Sequence, residues 1–331
     1  MTNASYKLRI DNQRGFSLVE MMIAMMIGII ILGGIMTMYT NTRDAQRSSE
    51  DQIGLVSDAR FALETIGYDL RHTGVFGGNN LPTTIECRKG GPCPTALPAV
   101  TGDCSAGWGV DIESSIFGGN NVVPPGYTCI LNAQPNTDVL VVRYADSNPV
   151  VTTSLVNGTI YVRSNYQAGQ VFAGTAQPVI PDDTGALTNN HQLYSRAYYI
   201  GNFTNTPGDG IPSLRRVDLV NGPAVQDQLI LPNVENFQVQ YGEDLDSNGT
   251  VDQFVNADAV TDFSKVYAAR LWVLVRTDRT EKDLNTSANY TIAGQNIAIP
   301  DDDYRRLLVS SVIKMRNMVR VDELDAAGSG S

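Results

Sequence analysis

The sequence predicts an α+β protein, with one long N-terminal helix packed on an antiparallel, β-rich head. Three observations lead there. Met21 to Tyr39 are nineteen consecutive uncharged residues, close to the roughly 20 apolar positions a helix needs to span a bilayer. Beyond Tyr39 apolar residues recur every three or four positions, the period of a helix with one buried face. After Gly74, runs rich in Val, Ile, Tyr and Thr alternate with clusters of Asn, Gly, Pro and Asp, the pattern of strands and turns.

Residues 1–15 read as a short leader, with Lys7, Arg9 and Arg14 against Asp11, a basic end of the kind that stays in the cytoplasm. Residues 16–72 read as one helix, its membrane half at 21–39. Six of the nine methionines fall there (Met21, Met22, Met25, Met26, Met36 and Met38), and methionine adapts to irregular helix surfaces. Gly28, Gly33 and Gly34 allow close approach of backbones. In the second half Ile53, Val56, Ala59, Leu63, Ile66 and Leu70 mark the face to be buried; Arg47, Glu50, Asp51, Asp58, Arg60 and Asp69 mark the solvent face. The head is expected over 73–327. Its strand candidates are Asp138–Tyr144, Val150–Ser154, Thr159–Arg163, His191–Asn202, Ser213–Val220, Gln226–Leu231, Val234–Gly242, Lys265–Thr277 and Leu307–Val321. Residues 328–331, Gly-Ser-Gly-Ser, read as a flexible tail or an added linker.

Two features of the N-terminus do not suit a secretory signal peptide. The candidate cleavage glycine, Gly15, precedes the apolar run, whereas a signal peptide is cut after it. Glu20 lies at the head of the apolar segment, among Phe16, Leu18, Val19 and Met21, and an unpaired charge within such a segment costs about 2.5–3.5 kcal/mol. The stretch Arg14-Gly15-Phe16-Ser17-Leu18-Val19-Glu20 resembles the prepilin-type signal shared by type IV pilins and type II secretion pseudopilins. The resemblance implies cleavage after Gly15 by a prepilin peptidase and methylation of the new Phe16 amine. It also implies that the Glu20 carboxylate pairs with the N-terminal amine of a neighbouring subunit. Such pilins usually carry a helix-distorting proline in the membrane half; none occurs here, so local melting would rest on the glycines.

Three head segments, Asp138–Arg143, Val234–Gly242 and Tyr304–Arg306 on to Met315–Asn317, are similar to the PilW minor pilins. This likeness implies a low-abundance subunit that assembles with other minor pilins and the major pilin, primes pilus assembly, and ends at or near the tip. It implies a single-pass inner-membrane protein with a periplasmic head that then moves to the pilus and cell surface, and a tip adhesin as a further partner. The competing readings are a J-type pseudopilin of type II secretion and a tip-displayed adhesin or DNA-binding module. The formal net charge of −11 counts against nucleic acid, because phosphate backbones are held by clustered Lys and Arg.

Cys87, Cys93, Cys104 and Cys129 make an even set beyond the membrane segment, which in an oxidising compartment reads as two disulfides. No Cys-x2–4-Cys pair exists to support zinc. Three pairings are possible; loop closure favours Cys87–Cys93 with Cys104–Cys129. Asp244, Asp246 and Asn248, followed by Gly249, Thr250 and Asp252, match the first half of a calcium loop, in which alternate oxygen ligands converge around a glycine turn. The twelfth position is Val255 and not a glutamate, so Asp258 or Glu243 would have to complete the set. The competing reading is a hairpin with a two-residue Asn248-Gly249 turn. Enzyme signatures are missing: there is no Gly-x-Ser-x-Gly, no phosphate-binding loop, and no His-Glu-x-x-His. His72 and His191 read as structural. Asp301-Asp302-Asp303 reads as a solvated loop, with a second cation contact or a docking patch as the alternative.

Overall fold

The computed structural model describes residues 15–94, 96–180, 187–281, 284 and 288–318. The leader residues 1–14, the last residues of the head and the Gly-Ser tail lie outside them. Helix α1 spans Leu18–His72 and ends where Gly74 takes a left-handed φ of +85°, a conformation that costs glycine nothing. The Gly74 N–H leaves the helix and donates to the Arg143 carbonyl at 3.1 Å, so the chain turns directly onto the head.

Two compact units divide at Ile53/Gly54. The first carries α1 up to Ile53, and its large apolar side chains are exposed. The second holds the rest of α1 and the strands. These are β1 (Ile85–Glu86), β2 (Ile116–Gly119), β3 (Val139–Ala145), β4 (Ile160–Ser164), β5 (Gly169–Ala173), β6 (Asn189–Gly201) and β7 (Ser213–Val220). There follow β8 (Ala224–Pro232), β9 (Val234–Glu243), β10 (Gln253–Val255), β11 (Val266–Arg276), β12 (Ala288–Ile292), β13 (Gln295–Ile299) and β14 (Arg306–Lys314). One sheet runs β1-β5-β4-β6-β3-β2, with β7 on β6 and β8 on β7; a second runs β10-β9-β11-β14; β12 and β13 form a ribbon. Among the described strands every ladder is antiparallel except the short β1–β5 contact.

The core has two main compartments, and β3 and β6 separate them. Leu55, Ala59, Ala62, Ile66 and Leu70 of α1 pack with Leu140, Val142, Tyr198 and Ile200, and with Phe237, Val239, Leu271 and Val273 of the second sheet. On the other face Val139, Val141, Ala197 and Tyr199 meet Trp108, Val110 and Ile112 from the long connection between β1 and β3. Every residue of β3 is therefore buried, which explains its unbroken Val-Leu-Val-Val run: a strand covered on both faces has no polar alternation.

The helix face differs from expectation. Ile53 is 69% and Val56 41% exposed, whereas Asp69 is 1% exposed. Small Ala59 and Ala62 occupy the contact, and Gly67 lets the Ile313 side chain approach. The residues expected as a strand at Val150–Ser154 form instead a short 3-10 turn over Thr152–Ser154, with only a single bridge from Val150 to Asn190. The last strand stops at Lys314, followed by a 3-10 turn at Arg316–Met318; Val319 to Val321 lie outside the described residues.

Candidate functional site

At the start of α1, Gly15 has open space where a side chain would stand and Phe16 is 90% exposed. Ser17 is the residue before the first turn. Its N–H donates to Glu20 Oε2 at 3.0 Å, half of a capping box in which the third-position glutamate satisfies an otherwise unpaired donor. Negative charge also suits the positive end of the helix dipole. Along the apolar stretch, the Thr37 hydroxyl donates to the Gly33 carbonyl at 3.0 Å, so this polar group makes its hydrogen bond within its own helix. The described helix is long and apolar enough to cross a membrane.

The other end of α1 is locked to the head by polar contacts. Asp69 accepts from Tyr144 Oη at 2.8 Å, Tyr198 Oη at 2.6 Å and Arg196 Nη1 at 2.7 Å. Arg196 also pairs with Asp218 at 3.2 Å, and Arg216 with Asp218 at 2.9 Å. Burial lowers the Arg196 pKa, but Asp69 and Asp218 more than offset this and leave it raised. Burial, and then the Asp69 charge, push up the hydroxyl pKa values of Tyr144 and Tyr198. The sequence reading placed Asp69 on the solvent face. A signal for the lock was present: Tyr194, Arg196 and Tyr198 stand at alternate positions of β6, with their polar tips on one side of the strand.

Cys87 bonds to Cys93 and Cys104 to Cys129, both within the connection that covers the second compartment. Arg143, fully buried, adds a non-covalent tie: its Nε donates to the Trp108 carbonyl at 3.1 Å and its Nη1 to the Ser114 carbonyl at 2.5 Å.

Residues 244–252 form a nine-residue loop, because β9 and β10 pair outward from Glu243 and Gln253. A two-residue hairpin turn is thus not formed. One carboxylate oxygen each from Asp244, Asp246 and Asp252 lies within 4.8 Å of the others. Asp244, fully buried, accepts from the Gly249 N–H at 2.7 Å and the Asn248 N–H at 3.3 Å. Asp252 accepts from the Leu245 N–H at 2.8 Å. Gly249 has a φ of +82°, the left-handed turn that folds the carboxylates toward one another. Asn248 Oδ1 is turned inward, accepting from the Thr250 N–H at 2.8 Å and from its hydroxyl. The two residues expected to complete the set are engaged elsewhere: Glu243 accepts from the Thr261 and Asp262 N–H groups at 3.0 and 2.9 Å, and Asp258 from Asn120 Nδ2 at 2.8 Å.

The remaining candidates have structural partners. His72 Nδ1 meets the Tyr68 carbonyl at 2.8 Å and His191 Nδ1 the Asp146 carbonyl at 2.7 Å. Asp302 pairs with Arg306 at 2.6 Å, which, with burial opposing, lowers its pKa; the same guanidinium holds Glu235 at 2.6 Å.

Comparison with protein families matches residues 197–317 to the type IV pilus-assembly protein W family and residues 10–36 to the prokaryotic N-terminal methylation motif. Among solved structures the chain is similar to a type IV-like pilin from Thermus thermophilus, at 20% identity over 50% of this chain and 87% of that one. The TM-score of 0.23 is too low for that pairing to bear on the fold. No curated protein matches the chain. The assembly-protein-W match spans most of the strands that grip α1, and the methylation motif covers the other end of the same helix: over these two stretches the chain is similar to the PilW-type minor pilins.

Proposed function

We propose that the chain assembles with other minor pilins and the major pilin, primes type IV pilus polymerisation at the inner membrane, and comes to lie at or near the tip. The family it resembles over residues 197–317 is one of pilin structural proteins and is not known for enzymes. One observation carries the reading: between Phe16 and Tyr39 every large apolar side chain is exposed, with the Glu20 carboxylate at the head of that surface. A contiguous apolar surface of this kind needs lipid or neighbouring helices to cover it, and a single carboxylate there needs a cation. The methylated amine of an adjacent Phe16 would supply one.

Deletion of the gene should abolish pili and twitching; loss of exoprotein secretion with pili intact would make the chain a J-type pseudopilin. N-terminal mass spectrometry should find methylated Phe16, and a mature chain beginning at Met1 would contradict the reading. Glu20→Ala should still insert in the membrane but reduce pilus number. Unchanged piliation would show that this carboxylate is not the pairing group.

We further propose that the 244–252 loop takes calcium through Asp244, Asp246, Asn248 and Asp252, with the Thr250 carbonyl and water completing the oxygen shell. Three convergent carboxylates support this, since a divalent cation would relieve their repulsion. Without the terminal glutamate the affinity should fall in the extracellular range of about 10⁻⁴–10⁻³ M. Saturating calcium should raise the head's melting temperature, and Asp246→Ala should remove that response. Identical melting with calcium and with chelator would leave the loop a purely hydrogen-bonded turn.

A further inference from the structure

We propose that the groove between the C-terminal half of α1 and the free edge of β14 receives an extended acidic segment of a neighbouring pilus subunit, which joins the sheet as an added strand. The proposal rests on the pilin reading for the source of that segment; the groove itself stands on geometry.

β14 is an edge strand. It pairs with β11 without a register shift over nine positions, from Lys314 opposite Ala268 to Arg306 opposite Arg276. Among the described residues no strand pairs its other side, and no backbone hydrogen bond outside the sheet engages residues 306–314. Folded proteins usually blunt such an edge with a proline, a bulge or a covering segment. β14 contains no proline and shows no bulge, and Ser310, Val312 and Lys314 are exposed.

Beside this edge runs a groove of about 510 Å³, lined by Arg71, Ile313, Lys314 and Arg316. It continues into a second hollow of about 200 Å³ that shares Arg71 and Ile313 and adds Arg60 and Glu64. Four cations thus stand against one carboxylate in a chain whose net charge is −11. None of the four makes an ion pair among the described residues. A single lysine would suffice to discourage edge pairing; four unpaired cations beside an open ladder favour one kind of strand.

Backbone hydrogen bonds supply the affinity in strand addition, and alternate side chains supply the selectivity. Carboxylates at every second position of the incoming segment would face Arg60 and Arg71 across the groove. Apolar residues between them would lie beside Val312 on the opposite face of the sheet.

The full chain in detergent tests this with a fluorescent peptide of four Val-Glu repeats. It should bind in a salt-sensitive manner. A twin with N-methylated amides, and one of Val-Lys repeats, should each bind at least about tenfold more weakly. Arg60→Glu and Arg71→Glu, each checked for unchanged melting, should weaken the Val-Glu peptide by a similar factor. Equal binding of the N-methylated twin, or indifference to both charge reversals, would overturn the proposal. Tighter binding of phosphatidylglycerol vesicles or an oligonucleotide would replace it with a general anion surface. Binding that appears only when the chain is cut after Met318 would make its own C-terminal residues the occupant and overturn the intersubunit reading. Processing at Gly15 is scored separately, so a negative peptide result leaves the family assignment standing.

Discussion

Asp138 and Asp69 are both buried carboxylates, yet their surroundings give them opposite consequences. Asp138 accepts the Asn121 and Val239 N–H groups, each at 2.8 Å. Burial pushes its pKa up to about 6; those two donors pull it down only partly, and Asp258 adds to the rise. A carboxyl that holds its proton more tightly when folded contributes stability below its unfolded pKa, and loses it as pH rises through the folded one. Head stability should therefore decline between about pH 4 and 6 by an increment on the order of 2–3 kcal/mol. Asp138→Asn should flatten that part of the profile, as urea titrations at pH 4, 5, 6 and 7 would show. Asp69 instead has a cation and two hydroxyls around it. Asp69→Ala would leave Arg196 with Asp218 alone and strip the Tyr144 and Tyr198 hydroxyls of their acceptor; it should cost about 3–5 kcal/mol, whereas a loss below about 1 kcal/mol would mean the lock is no stronger than a surface pair. Helical period alone put Asp69 in solvent, because periodicity reports the hydrophobicity of a residue and not whether a partner waits across the contact.

Among the elements, long strands with branched or aromatic residues were readable and short or glycine-bearing ones were not. β7 runs from Ser213 to Val220 as expected, and β3, β6, β9 and β11 fall within about two residues of expectation. β2 is Ile-Phe-Gly-Gly; its glycines lower strand propensity, yet a Cβ at Gly118 would run into the Tyr241 hydroxyl. The requirement that hides this strand comes from a residue more than a hundred positions away. The Val150–Ser154 stretch has strand composition, but Val151 faces solvent at 65% exposure and pairing stops at the single Val150–Asn190 bridge. The two disulfides differ as elements too. Cys104–Cys129 closes a 25-residue separation and Cys87–Cys93 one of 6. Chain entropy makes the longer closure worth roughly 1 kcal/mol more. Replacing Cys104 and Cys129 by alanine should accordingly lower stability further than replacing Cys87 and Cys93. Equal losses would point to packing around the sulfurs as the dominant contribution.

For the whole molecule, every buried residue among those described lies at Leu55 or later. A chain beginning at Gly54 should melt within about 2 °C of the full protein in detergent; a much larger drop would show that the apolar helix supports the head. The candidate calcium loop was the part of the head's chemistry most visible in sequence, since its ligands are contiguous. The groove beside β14 was invisible, because Arg60, Arg71 and Arg316 meet only after the chain has folded back on itself. The connection from Cys87 to Ala133 covers one face of the β3–β6 sheet, and it falls outside the matched span of 197–317. Its shape depends on two covalent links and on Arg143 gripping main-chain carbonyls, and little on regular strand pairing. Such a cover is open to rewriting: insertions and substitutions between its anchor points would alter what the head displays while the helix-bearing side kept its geometry. Selection acting on the exposed face of the head can therefore work through this loop alone, while the grip of the strands on the helix stays as it is.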